Sequence, residues 1–434
     1  MQFIKDRFKY LFTSTKGLIL VAIAMIAIVT AMWGMLSGPM AELGVREVVV
    51  KALGMKMVQA EREGRIIILY HAIAVAVVAI EVYMINSLLK MKEFFKIAIN
   101  SMITVGYIFA MVFGMGFAYF GHNWAFHGLY IFGLSLIFFA GILLAVALNP
   151  WNPEYYVTEG YARTKKGVSV ERIAFFTMAI ATLGSTLFGA IPGSYFGNGF
   201  EVFLAENVIR QPHKTFFEDA VIGHLHIMLT LIAVALSLIV GRWLDFKGKL
   251  HTISMHLMWT GTIVISIGAW SVIVVEWAHT IIYIGSVLVM LSALMLVIFG
   301  WSKFIREGTA HIAKPTFGQK IKALVNDPLK FGPLWQMVFM NFNVSGVGIF
   351  MAVKLDEIMR VIPWREERIT LTGHWHILSA LIATIILMYY GDMVGMKGRI
   401  RKWYGWSIII LSDIAFASVT LFELKCLFIT EAEQ

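Results

Sequence analysis

The sequence predicts an all-α polytopic membrane protein. About eleven transmembrane helices form three parallel pseudo-repeats in a single integral membrane domain spanning residues 1–434. Three observations carry this. The chain is 59% hydrophobic and 15% charged, with a mean hydropathy of +0.76, whereas soluble domains are about half apolar and about a quarter charged. Eleven apolar stretches reach the roughly 20 residues that a helix needs to cross a bilayer. Finally, three of them share a frame: 21 residues forward from His71, His226 and His376 lie Lys92, Lys247 and Lys397, each in a short basic turn.

The elements follow in order. Segment 17–37 comes after Lys5, Arg7, Lys9 and Lys16 and is long enough to stay in the membrane, unlike a cleaved signal. Segment 65–89 carries His71 and is followed by Lys90, Lys92 and Lys96; 97–118 and 128–148 complete the first set. After Arg163, Lys165, Lys166 and Arg172 come 172–193 and 220–241, the latter with His224 and His226, then Arg242, Lys247 and Lys249. Segments 252–276 and 280–301 complete the second set. The connection 302–333, with six basic residues and Pro315, Pro328 and Pro333, reads as an amphipathic surface segment. The third set is 334–353, 371–391 and 404–424, and lacks a last member.

Every even-numbered connection is basic, which places the N-terminus in the cytoplasm and the C-terminus outside. The repeat units, approximately 17–148, 172–301 and 334–424, each begin on the same side, so they are parallel rather than inverted. The net charge of +9 is assigned to these loops, and no nucleic-acid partner is expected. Cys426 is the only cysteine, which excludes an internal disulfide, a cysteine-ligated iron–sulfur cluster and CxxCH haem attachment. Trp124, Trp151, Trp243, Trp301 and Trp403, near segment ends, read as interfacial anchors.

The histidines carry the chemistry. Gly-His-x-His-Ile occurs twice, at Gly223-His224-Leu225-His226-Ile227 and Gly373-His374-Trp375-His376-Ile377. Histidines inside a membrane are costly and mark functional sites. With His71 they lie within about two turns, or about 6–10 Å, of the outer ends of their segments, in one layer. Residues i and i+2 of a helix stand about 200° apart, so neither HxH can grip a single metal ion with both rings. No HExxH is present for zinc. An HxH helix instead offers one imidazole to each of two flanking cofactors, and haem, planar and apolar with iron that accepts imidazole, suits that role.

With its histidines on the second, sixth and tenth segments, the pattern resembles subunit I of the haem–copper oxidase and nitric oxide reductase superfamily. His374-Trp375-His376-Ile377-Leu378-Ser379 is similar to that family's helix-ten motif, and Arg65-Ile66-Ile67-Ile68-Leu69-Tyr70-His71 to its helix two. The resemblance implies a low-spin haem clamped by His71 and His376 and a second haem held by His374. It also implies a multi-subunit respiratory complex in the plasma membrane of a prokaryote. This chain departs from the pattern in lacking the adjacent His-His pair on helix seven, where His251 and His256 stand instead, and in lacking the HxxxY crosslink: Met228 and Thr230 follow His224 and His226 by four residues. No copper is therefore expected. Arg65, Arg365 and Arg368 precede haem-ligand candidates and match the fork geometry that pairs with propionates.

The expected function is a membrane haem b subunit of a respiratory redox complex. It carries two haems, with a third permitted by the doubled HxH. Electrons move between quinone or quinol and cytochrome c or another soluble or multihaem partner, amid membrane lipid. The alternatives are a divergent nitric oxide reductase or haem–copper-type terminal oxidase and, from another class, a proton-coupled transporter. The transporter is disfavoured because its usual inverted repeats and broken helices at mid-membrane are not what the pattern shows.

Overall fold

The structure is a computed structural model describing residues 2–57, 62–121, 123–157, 162–196, 216–353 and 364–423. Among these the regular structure is helical, with one isolated bridge between Arg163 and Ser169 and no strand. The elements are α1 (Gln2–Thr13), α2 (Thr15–Ser37), α3 (Pro39–Glu42), α4 (Val45–Leu53), α5 (Arg62–Leu88), α6 (Glu93–Phe120), α7 (Trp124–Ala147) and α8 (Val170–Phe196). They continue with α9 (Phe216–Trp243), α10 (Lys249–Ser271), α11 (His279–Gly308), α12 (Phe317–Leu324), α13 (Pro328–Phe339), α14 (Val347–Val353), α15 (Trp364–Met393) and α16 (Gly398–Glu423).

Nine described helices are long and apolar enough to cross a membrane, which makes this a multi-pass membrane protein. Two of the eleven expected segments account for the difference. The sixth is α9, whose apolar portion within the described residues is the shorter Ile227–Trp243. The ninth is broken: α13 contains Pro333 and gives way to a π-helical segment, Met340–Gly346, before α14 resumes. Proline removes one ladder hydrogen bond, and Asn341, Asn343, Ser345 and Gly346 are weak helix formers, so the ordinary winding does not continue. The seventh segment stops at Ser271, short of 276, and a 3-10 turn at Glu276–Ala278 leads into α11.

The ends of the helices follow their sequence. Ser14 caps α2 by accepting from Gly17 N at 3.0 Å. The preceding helix, α1, is exposed along its length, and carries Phe3, Ile4 and Phe8 between Lys5, Arg7 and Lys9. That is the composition of a helix suited to the membrane interface. In the connection after α11, Thr316 and Gln319 form a capping box for α12, which leaves Phe317 and Ile321 exposed as an amphipathic surface helix. Trp124, Trp151 and Trp403 are exposed near helix ends, as anchors would be. Trp243 and Trp301 are turned inward: the first donates to Asp392 and the second stacks on Phe331 at 6.2 Å.

The chain divides into two compact units. The first comprises Met1–Tyr155, Phe175–Ile232 and Ser266–Ala278, and the second Tyr156–Ala174, Ala233–Ile265 and His279–Gln434. In the first, α6 and α7 approach so closely at Gly106 and Gly133 that a Cβ on Gly133 would come within 2.6 Å of Ala110 N. Small residues are what allow membrane helices such contact. Polar pairs tie α5 to α6: Tyr83 Oη to Thr104 Oγ1 at 2.6 Å, and Asn86 Nδ2 donating to Asn100 Oδ1 at 2.7 Å.

In the second unit a charged knot fastens helix ends. Arg401 of α16 donates through Nε and Nη2 to both carboxylate oxygens of Asp327, at 2.8 and 2.7 Å, and Nη2 also reaches Asp392 Oδ1 at 2.6 Å. Asp392 Oδ2 accepts from Trp243 Nε1 at 2.8 Å. The two-pronged fork gives the arginine directional hold as well as charge pairing. Four helix ends, of α9, α13, α15 and α16, meet at this knot.

Candidate functional site

His71 lies on α5 of the first unit, six residues beyond the buried Arg65. Across from it on α7, Tyr130 Oη is 3.1 Å from His71 Nδ1. Beside it, on α9, stands His224, with ring centroids 6.2 Å apart and planes at 64°. His224 Nδ1 is 2.8 Å from the backbone carbonyl of Ser185 on α8. A carbonyl only accepts, so Nδ1 carries the proton and Nε2 keeps the lone pair that a metal uses. An imidazole anchored to a backbone carbonyl through its other nitrogen is the usual support of a metal-ligating histidine.

The sequence permits this arrangement through one absent side chain. A Cβ on Gly189 would come within 2.6 Å of the His224 ring, so any larger residue there would collide with the imidazole. The ring therefore packs directly against the α8 backbone. On the same helix Thr182 and Thr186 donate to the carbonyls of Met178 and Thr182, back-bonding that tends to bend a helix.

Two imidazole nitrogens on opposite sides of one metal, each at the ordinary bond length of about 2 Å, put ring centroids about 6 Å apart. The His71–His224 centroid spacing is of that size, and the anchored tautomer of His224 leaves its Nε2 lone pair available for ligation. The residues present thus fit an imidazole-ligated group. Among the described residues no set of three or more His, Cys, Asp or Glu side chains is grouped to hold a bare metal ion.

The other site candidates are distributed as follows. His376 is on α15 in the second unit and its side chain is exposed. His374, Arg365 and Arg368 share that helix, and His226 follows His224 on α9; the side chains of these four lie outside the described residues. His71 and His224 are thus brought together, while His376 falls in the other unit. His251, on α10, is fully buried and accepts a hydrogen bond from Ala162 N at 3.3 Å through Nδ1. Sequence reasoning missed Tyr130, Ser185 and Gly189. Their contacts span 59 and 39 residues for the two hydrogen bonds, and nothing local in the chain announces them.

Comparison with protein-family models, with curated proteins and with solved structures finds no match.

Proposed function

We propose that this chain is a membrane haem b subunit of a prokaryotic respiratory complex, passing electrons between a quinone pool and a soluble or multihaem redox partner. The observation that carries this reading is the His71–His224 pair: two imidazoles inside a multi-pass membrane protein, their ring centroids 6.2 Å apart, one fixed in the tautomer that leaves Nε2 able to ligate. Haem bound there supplies a one-electron iron couple.

The chain's own residues do the rest. His71 and His224 would hold the iron from two sides, with Ser185 and Gly189 orienting His224 and Tyr130 orienting His71. The family resemblance pairs His71 with His376 instead; the centroid spacing favours His224 as its partner. His374 and His376, two residues apart and so unable to share one iron, would then serve separate further haems, with His226 on α9 as another candidate ligand. Arg65 begins the apolar part of α5, about 9 Å before His71 along the helix axis, and would pair a propionate, as would Arg365 and Arg368 on α15. The shared histidine-to-lysine frame supports the three parallel repeats and, with the basic loops, a cytoplasmic N-terminus.

The test is a dithionite-reduced minus oxidised absorbance spectrum of the purified protein. The reading expects the sharp α and Soret bands of a b-type cytochrome. A protein purified intact from haem-replete cells without them would reject it and return the transporter alternative to first place.

A further inference from the structure

The strongest unused chemistry lies in the second unit, where α13 meets α16. Trp335 Nε1 donates to Asp413 Oδ2 at 3.0 Å, and Gln336 Nε2 donates to Ser412 Oγ at 2.8 Å. In each pair one acceptor is left over. Asp413 Oδ1 and Gln336 Oε1 are both shut off from solvent, and neither has a hydrogen-bond partner among the described residues. Gln336 is fully buried. Asp413 stands twelve residues past Arg401 on the same helix, about 18 Å along its axis. With a hydrocarbon core about 30 Å thick, that is deep within the membrane.

A carboxylate at that depth is expensive and marks function by default. The two orphaned atoms are acceptors, so what they lack is donors. The surroundings are aromatic: Trp335 packs against Phe339 at 5.4 Å, and Phe339 against Phe416 at 6.3 Å. Next to Asp413, Leu411 and Ile414 are 65% and 57% exposed, so this stretch of α16 borders lipid. The π-helical segment begins immediately after Phe339, and such interruptions cluster at functional sites.

We propose that this place binds the ring of a quinol, with one hydroxyl donating to Asp413 and the other to Gln336. A para-quinol is the lipid-soluble molecule that brings two hydroxyl donors on a flat aromatic ring. Its hydroxyls satisfy both orphaned acceptors, and Trp335, Phe339 and Phe416 offer ring faces and edges. The oxidised quinone has only acceptors, so the site prefers the reduced form. The proposal concerns binding alone, and it deepens the reading of the chain as a partner of the quinone pool.

The test is calorimetric titration of the purified full-length chain, held reduced with dithionite, with a short-chain quinol and with its dimethyl ether, which has the same ring and no donors. The expected result is saturable one-to-one quinol binding, about tenfold or more tighter than the ether. Asp413→Asn weakens quinol binding by a similar factor, and Glu307→Gln, remote from the site, leaves it unchanged. No saturable binding, equal affinity for the ether, or an Asp413→Asn protein that binds like wild type would each overturn the proposal. Should Asp413→Asn fail to fold, Gln336→Met and the comparison of quinol with ether decide. The absorbance spectrum separates the two failures: a haem spectrum without quinol binding sinks this proposal, and quinol binding without haem sinks the electron-transfer reading.

Discussion

At the scale of single residues, the site depends on how two imidazoles are held. Tyr130 and Ser185 reach His71 and His224 at 3.1 and 2.8 Å, through the nitrogen that a ligand histidine turns away from its metal. Tyr130→Phe keeps the ring and removes the hydroxyl. It should lower haem affinity about tenfold, the low end for losing such a support. Haem retention through a desalting series measures it, and retention equal to wild type would show that the hydroxyl does not support His71. Gly189 makes a sharper case. Its missing Cβ is the space the His224 ring occupies, so Gly189→Leu should displace the imidazole and cost about 1–3 kcal/mol through overpacking. Loss of haem absorbance together with a lower melting temperature is the expected outcome; an unchanged spectrum would mean that His224 is not a ligand. The sequence singled out His224 by its Gly-His-x-His-Ile motif and His71 by the 21-residue step to Lys92 that it shares with two other segments. It could not reveal Tyr130, Ser185 or Gly189, because those contacts arise only once α5, α7, α8 and α9 have packed.

At the scale of elements, the apolar runs were legible because the bilayer leaves a helix few other ways to satisfy its backbone. Nine of the expected segments appear among the described residues as helices long and apolar enough to cross a membrane. Hydropathy does not register winding, which is why the ninth segment reads as one span although Pro333 and the π-helical Met340–Gly346 interrupt it. Hydropathy is equally blind to tertiary acceptors. Trp243 reads as an anchor at a helix end until Asp392 takes its N–H. The knot around Arg401 predicts a graded response. Arg401→Ala leaves Asp327 and Asp392, both partly shielded from solvent, without their cation, and should cost about 2 kcal/mol. That is below the full buried-pair value because Asp327 is 34% exposed. Arg401→Lys keeps the charge and loses the fork, so it should fall between the two. Thermal unfolding in detergent checks this, and an Arg401→Lys protein as labile as Arg401→Ala would show that geometry, not charge, holds the ends together.

At the scale of the whole molecule, the alternation of basic loops predicts an orientation that a reporter fusion can test. A cytoplasmic reporter fused after Lys165 should be active, and an export-dependent reporter at the same place inactive. The opposite pattern would invert the topology and move the histidine layer to the inner half of the membrane. Metal content belongs at this scale as well. Iron is expected at two or more atoms per chain with no stoichiometric copper, because the seventh segment carries His251 and His256 in place of an adjacent pair, and His251 Nδ1 is engaged by the Ala162 backbone. One copper per chain by elemental analysis would favour the oxidase or nitric oxide reductase alternative. The proposal on which the rest depends is that His71 and His224 would hold one haem iron between them. The most direct measurement is the reduced-minus-oxidised spectrum of His71→Ala and His224→Ala beside wild type, each normalised to folded protein. If the pair shares a haem, both variants lose the same component of the spectrum, and the double variant loses no more than either alone. If the two variants lose different components, or either keeps the full spectrum, His71 and His224 do not share a haem.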